Sequence, residues 1–130
     1  MNHQDNELRA THLKLGELGE ELVVEFLEIT QHEILERNWR SGKAEVDIIA
    51  KTTDGIMLFI EVKTRTCLDF GPGSQSIGER KKQLILDAAV IYCNLKKHEA
   101  DLRFDIANVF INEKDEVILE YAPDAFFDEF

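Results

Sequence analysis

The chain has 130 residues, 44% of them hydrophobic and 32% charged, and a net charge of −11. That length supports one domain with a real core and is too short for two; no apolar stretch approaches the roughly 18 to 20 residues that span a bilayer, and the polar start, Met1 to Ala10, has no signal-peptide pattern. Cys67 and Cys93 are too few for a disulfide framework, and His3, His12, His32 and His98 lack ligand spacing, so the expected setting is the cytoplasm, with no membrane partner.

Leu15, Leu18, Leu22, Phe26 and Ile29 recur at helical spacing with charges between them, which predicts an amphipathic helix over Leu13–Thr30. Gly16 and Gly19 each cost about 1 kcal/mol in a helix interior, so both are expected where another backbone comes close. A short strand is predicted over Ile34–Trp39, ending at Ser41-Gly42. A hairpin follows, with strands Ala44–Lys51 and Ile56–Thr64 around the turn signal Thr53-Asp54-Gly55. The segment Cys67 to Ser76 contains Gly71-Pro72-Gly73-Ser74 and is predicted to be a loop. A second helix is predicted from about Gly78 to Lys97, with Leu84, Ala88, Tyr92 and Leu95 on its inner face. Leu102–Ile111 is a further strand and Glu116–Tyr121 a weaker last one, followed by an acidic tail holding Phe126, Phe127 and Phe130. Those three rings are expected to fold back onto the domain; the sharper alternative is a two-fold dimer in which each tail packs on its partner. The order αβββαβ(β) predicts a single α/β domain, a mixed sheet covered by helices.

The chemistry concentrates in the hairpin. Glu61 and Lys63 close the apolar run Ile56–Ile60, and residues two apart on a strand share a face, so both point one way and Val62 the other. A three-residue loop with Gly55 left-handed sets Asp47 opposite Glu61 and Glu45 opposite Lys63. Facing carboxylates repel, and a hard divalent cation between them removes that cost. The competing reading is a pair of ordinary exposed strand acids, with Lys63 an ion-pair partner of Glu45. The net charge argues against nucleic acid as a partner, but it is segregated. Between Arg37 and Lys82 nine basic residues, Arg37, Arg40, Lys43 and Arg65 among them, face six acidic ones, a local +3 against −14 for the remainder.

The order of elements, with Asp and then Glu-X-Lys on the hairpin, resembles the core of the restriction-endonuclease-like nucleases. Gly19-Glu20, Arg37-Asn38-Trp39-Arg40, Glu45 to Ala50, Glu61-Val62-Lys63-Thr64-Arg65, Lys81-Lys82, Tyr92 and Arg103-Phe104-Asp105 are similar to the YraN-like family of uncharacterised bacterial proteins, itself similar to archaeal Holliday-junction resolvases. Ala44 departs from the glycine usual there. The resemblance covers about Gly16 to Val109 and implies a PD-(D/E)xK endonuclease that hydrolyses phosphodiester bonds in DNA, branched or flapped structures included. Its alternative is a nucleic-acid-binding module of the same fold with little or no catalysis, acting in a larger DNA repair or processing complex. The resemblance further implies that Asp47, Glu61 and the Val62 carbonyl hold Mg²⁺ or Mn²⁺, that Lys63 orients the attacking water, and that Glu20, with Glu21 as fallback, adds a helix acid. Arg37, Arg40, Lys43, Arg65, Lys81 and Lys82 are then the expected phosphate contacts, Trp39 is either core or part of a basic-aromatic patch, and resolvase-like cutting requires a homodimer. Arg103 and Asp105 are expected to pair structurally.

Overall fold

A computed structural model describes residues 3–66, 77–99 and 101–127, with side chains described from residue 14 to residue 126. The predicted loop 67–76 and Phe130 lie outside the described residues, as does the Phe127 side chain. Helix α1 (His3–Ile29) leads into β1 (Glu33–Ser41), β2 (Ala44–Lys51) and β3 (Met57–Thr66); helix α2 (Glu79–Lys96) precedes β4 (Leu102–Ile111) and β5 (Val117–Ala122), and a 3-10 turn closes the chain at Ala125–Phe127. The five strands form one mixed sheet in the order β1-β2-β3-β4-β5, antiparallel except where β3 runs parallel to β4. This is the α/β arrangement and element order expected.

The sheet carries a helix on each face. Val23, Val24 and Leu27 of α1 pack with Ile48, Ala50, Leu58, Ile60, Ala107, Val109 and Ile111. On the other face Ile85, Ala88, Ala89, Tyr92 and Cys93 of α2 pack with Val46, Ile49, Phe59, Phe104 and Ile106. The inner strands are therefore apolar on both sides, as strands covered by helices must be. Phe126 joins the α2 layer, 1% exposed and with its ring 5.3 Å from that of Phe104. Of the three tail rings, Phe126 thus packs back on the domain's own sheet.

Two helix faces differ from expectation. Helix α1 begins about ten residues before Leu13, because the polar stretch ahead of it holds no glycine or proline and extending a formed helix is cheap. Its buried edge runs through Gly19, Val23 and Leu27, whereas Leu18 is 46% and Ile29 81% exposed. Leu15, Leu22 and Phe26 only flank that edge. In α2, Ile85, Ala89 and Cys93 take inner positions beside Ala88 and Tyr92, and Leu95 is 68% exposed. In both helices several apolar side chains lie on the water side, so spacing alone picked a stripe rotated from the true one.

Gly19 explains itself. A Cβ there would lie 1.7 Å from the Thr64 hydroxyl and 2.9 Å from its Cβ, so α1 presses directly onto β3 at this point. Gly16 has no atom within 4 Å of that position, and the close approach expected there is absent. The pairs Arg103–Asp105 and Trp39–Tyr92 are structural. Asp105, fully buried, accepts both Arg103 bonds at 2.9 and 3.0 Å, the Tyr121 hydroxyl at 2.5 Å and the Asp124 backbone N–H at 2.8 Å. Trp39 lies edge-on to Tyr92 at 5.1 Å within the α2 layer, which makes it core and not part of an exposed patch.

Candidate functional site

The hairpin turn sets the site. Gly55 has φ +90°, its N–H bonds to the Thr52 carbonyl, and the ladder runs from Lys51↔Met57 to Ile48↔Ile60. Continued one step, that register pairs Asp47 with Glu61, as the loop length predicts. The ladder stops there, although both strands go on. In place of a backbone partner, Asp47 Oδ2 accepts the Val62 N–H at 2.8 Å. Val46 packs in the α2 layer and Ile48 in the α1 layer, so the alternation of β2 slips at Asp47. Between Arg37↔Ile48 and Trp39↔Val46 on the neighbouring strand stands Asn38, in the left-handed region at φ +52°, which asparagine tolerates better than most residues. The slip turns the Asp47 carboxyl along the sheet, where β2 and β3 part.

Glu61 is 6% exposed and forms an ion pair with Lys81, the third residue of α2. Lys63 shares that side of β3, while Val62 packs in the α1 layer, as strand alternation requires. Burial first, and then the neighbouring Glu61 charge, push the Asp47 carboxyl up from 3.8 to about 8, with the Val62 bond and Lys81 opposing. Lys63 is pulled down by burial and then by Arg65, with Glu61 resisting. For Lys81 burial acts downward, but the hydrogen bond and charge of Glu61, aided by Asp47 and Glu45, outweigh it and raise the ammonium. Glu20 is raised by burial against the Asn38 and Arg37 contacts, and its Oε2 accepts Asn38 Nδ2 at 3.2 Å. It acts electrostatically on Asp47, whereas Glu21 is held outside by Arg37 at 2.7 Å. Of the two helix acids, Glu20 is the one beside the site.

The donor chemistry suits a hard divalent ion: a buried carboxylate, Glu61, and a partly buried one, Asp47, which the Glu61 charge makes harder to ionise, with the Val62 carbonyl next in sequence. Among the described residues no three carboxylate, imidazole or thiol groups converge to ligate one ion together. A cation held by Asp47 and Glu61 alone would have to keep several of its waters.

The expected phosphate contacts are placed unevenly. Arg65 lies on β3 beyond Lys63 and is partly buried; Lys43 is exposed at the β1–β2 turn. Arg40 lies 3.2 Å from Glu45, which engages Glu45 across to β1. Lys82 pairs with Glu79 at 3.4 Å. Sequence reasoning placed Lys81 among the open phosphate contacts and missed its pairing with Glu61, since twenty residues and a change of element separate them. It also missed Asn108, 2% exposed, whose Oδ1 has no hydrogen-bond partner and which stands beside Lys63 in the parallel register. Its signal was a lone amide inside the otherwise apolar run Ile106–Ile111.

Relatives place the chain. A model described as the uncharacterised protein family UPF0102 matches residues 19–109. A UPF0102 protein of Flavobacterium psychrophilum is 41% identical over 118 residues, covering 91% of this chain and 98% of its own length. One from Dictyoglomus turgidum is 42% identical over 115 residues, covering 87% and 97%. Among solved structures, Pyrococcus furiosus SfsA in complex with Ca²⁺ is similar at 11% identity and a TM-score of 0.29, covering 89% of this chain and 63% of that one; a likeness this remote bears on neither chemistry nor substrate. The family match over the whole hairpin and both layers, with full-length relatives near 40% identity, makes the chain a member of UPF0102, in keeping with its YraN-like motifs.

Proposed function

We propose that this protein is a Mg²⁺- or Mn²⁺-dependent endonuclease acting on DNA. The observation that carries the reading is the Asp47–Glu61 pair, two mutually repelling carboxylates brought together where β2 and β3 part, with Lys63 and Lys81 beside them. Such a grouping is costly to a fold and is explained by a cation it serves. When bound, the ion supplies Lewis acidity and an activated water. Asp47, Glu61 and the Val62 carbonyl hold it, and Glu20 acts through water from α1. Lys63 orients the attacking water and offsets the charge that develops on the phosphate, a contribution typically worth a few kcal/mol. Arg65, Lys43 and the first turn of α2 bind the flanking backbone. Resolvase-like cutting of two strands calls for two copies of the chain.

A second reading, binding without hydrolysis inside a larger complex, is favoured by the net charge of −11 and by the engagement of Arg37 and Arg40 with acidic partners. One panel separates the two: single-stranded, duplex, flap and four-way DNA with Mn²⁺, run with Lys63→Ala and Asp47→Asn alongside. The enzyme reading requires cleavage of at least one substrate and a loss on the order of 10²–10³ in each variant. Binding in the absence of any cleavage establishes the other.

A further inference from the structure

We propose that Lys81 is an exchangeable counter-cation: its ammonium neutralises Glu61 in the metal-free protein and is released towards a substrate phosphate when a divalent ion takes its place. The proposal rests on the metal reading above and adds a coupling between ion binding and DNA binding that the reading does not contain.

Glu61 is 6% exposed, and a carboxylate that deep is costly without a partner. Its ion-pair partner is Lys81, with Lys63 on the same strand acting on it through its charge. Lys81 reaches in from α2, on a side chain that is 54% exposed. The helix itself disfavours a cation there. Lys81 sits in the first turn, where the helix dipole repels positive charge, and the helix N-cap, Gly78, makes no side-chain bond. The attraction comes from the carboxylates, with Asp47 and Glu45 adding to Glu61. A divalent ion between Asp47 and Glu61 cancels that attraction and adds repulsion. The ammonium must then leave, and the long exposed stem lets it do so without disturbing the core. Once out, it stands at the positive end of α2 beside the ion, where a phosphate would lie. Lys82 lies 3.4 Å from Glu79 on its own helix.

The exchange has a thermodynamic signature. If Lys81 competes with the ion, removing its charge tightens ion binding. If the released ammonium meets phosphate, the ion strengthens DNA binding only while Lys81 is present, and DNA strengthens ion binding by the same factor. The test uses the full chain, Lys81→Gln, Lys81→Met as a second variant should glutamine distort α2, Asp47→Asn, and Lys114→Gln as a charge-matched change remote from the site. Mn²⁺ affinity is measured by calorimetry, and affinity for labelled four-way DNA by anisotropy with and without Ca²⁺ as the probe ion. We expect Lys81→Gln and Lys81→Met to bind Mn²⁺ about tenfold tighter than wild type, within the usual range for coupled sites, and to lose the ion-induced gain in DNA affinity that wild type and Lys114→Gln keep. Unchanged Mn²⁺ affinity in both Lys81 variants, with Asp47→Asn devoid of binding, overturns the exchange and leaves the metal site standing. No Mn²⁺ binding by wild type overturns both.

Discussion

Asp47→Asn tests the electrostatics of the site without any assumption about substrate. Asparagine keeps the volume and an oxygen to accept the Val62 N–H, which Asp47 accepts at 2.8 Å, and removes the charge that burial and Glu61 oppose. In the folded protein the Asp47 carboxyl titrates at about 8 instead of 3.8. Below about pH 4 both folded and unfolded chains hold this proton, and the residue has no pH-dependent effect. As pH rises towards 8 the unfolded chain releases it while the folded chain keeps it, so stability is lost across that window and is level above it. Each tenfold change in proton affinity is worth about 1.4 kcal/mol, which bounds the loss at roughly 5 to 6 kcal/mol; water reaching the partly buried carboxyl brings it to about 3 kcal/mol. Urea unfolding in chelator at pH 4, 6 and 8 is the assay. Asp47→Asn is expected to match wild type at pH 4 and to exceed it by about 3 kcal/mol at pH 8. Mn²⁺ at pH 8 then restores wild type alone, by an amount set by its concentration over its dissociation constant. Parallel stability curves for the two proteins between pH 4 and 8 would refute the reasoning.

Gly19→Ala forces a methyl into the Thr64 side chain and should destabilise, since overpacking costs typically 1–3 kcal/mol against a helix gain of about 1; Gly16→Ala, with open space around it, should stabilise by about that gain. Calorimetric melting shifts of the same sign for both would contradict the packing described. Phe126→Ala should cost about 3–5 kcal/mol in urea unfolding, and a cost under about 1 kcal/mol would mean the ring is not a core element. Asn108→Leu removes a buried acceptor that has no partner and should raise stability by about 1 kcal/mol while weakening Mn²⁺-dependent cleavage through its neighbour Lys63; a lower melting temperature sinks that reading.

What the sequence made legible followed from short-range rules. The turn residue Gly55 sets the register that leads from Lys51↔Met57 to the Asp47–Glu61 approach, and period-two alternation puts Val62 away from Glu61 and Lys63. Tertiary choices were not legible. Whether Val23 or Ile29 faces the sheet depends on how α1 is rotated, and that rotation is fixed by the contact of Gly19 with Thr64, forty-five residues away. The slip at Asp47 stands opposite Asn38, which takes a left-handed conformation on the neighbouring strand. Lys81 could be read as a surface cation because its carboxylate comes from another element. Asn108 needed the parallel pairing of β3 with β4 before its place beside Lys63 could be seen.

That parallel pairing also orders the assembly of the molecule in time. Strands β1, β2 and β3 follow one another as a meander, whereas β4 meets β3 only when Leu102 reaches Met57 around the length of α2. Local contacts close quickly and distant ones slowly, so the meander is the natural nucleus, and it forms its carboxylate cluster before α2 has brought Lys81 to it. The charge that serves the mature site is therefore a kinetic burden at the start. Neutralising Asp47 should act mainly on the refolding arm of a chevron plot and little on the unfolding arm; the opposite split would place the nucleus in β4 and α2.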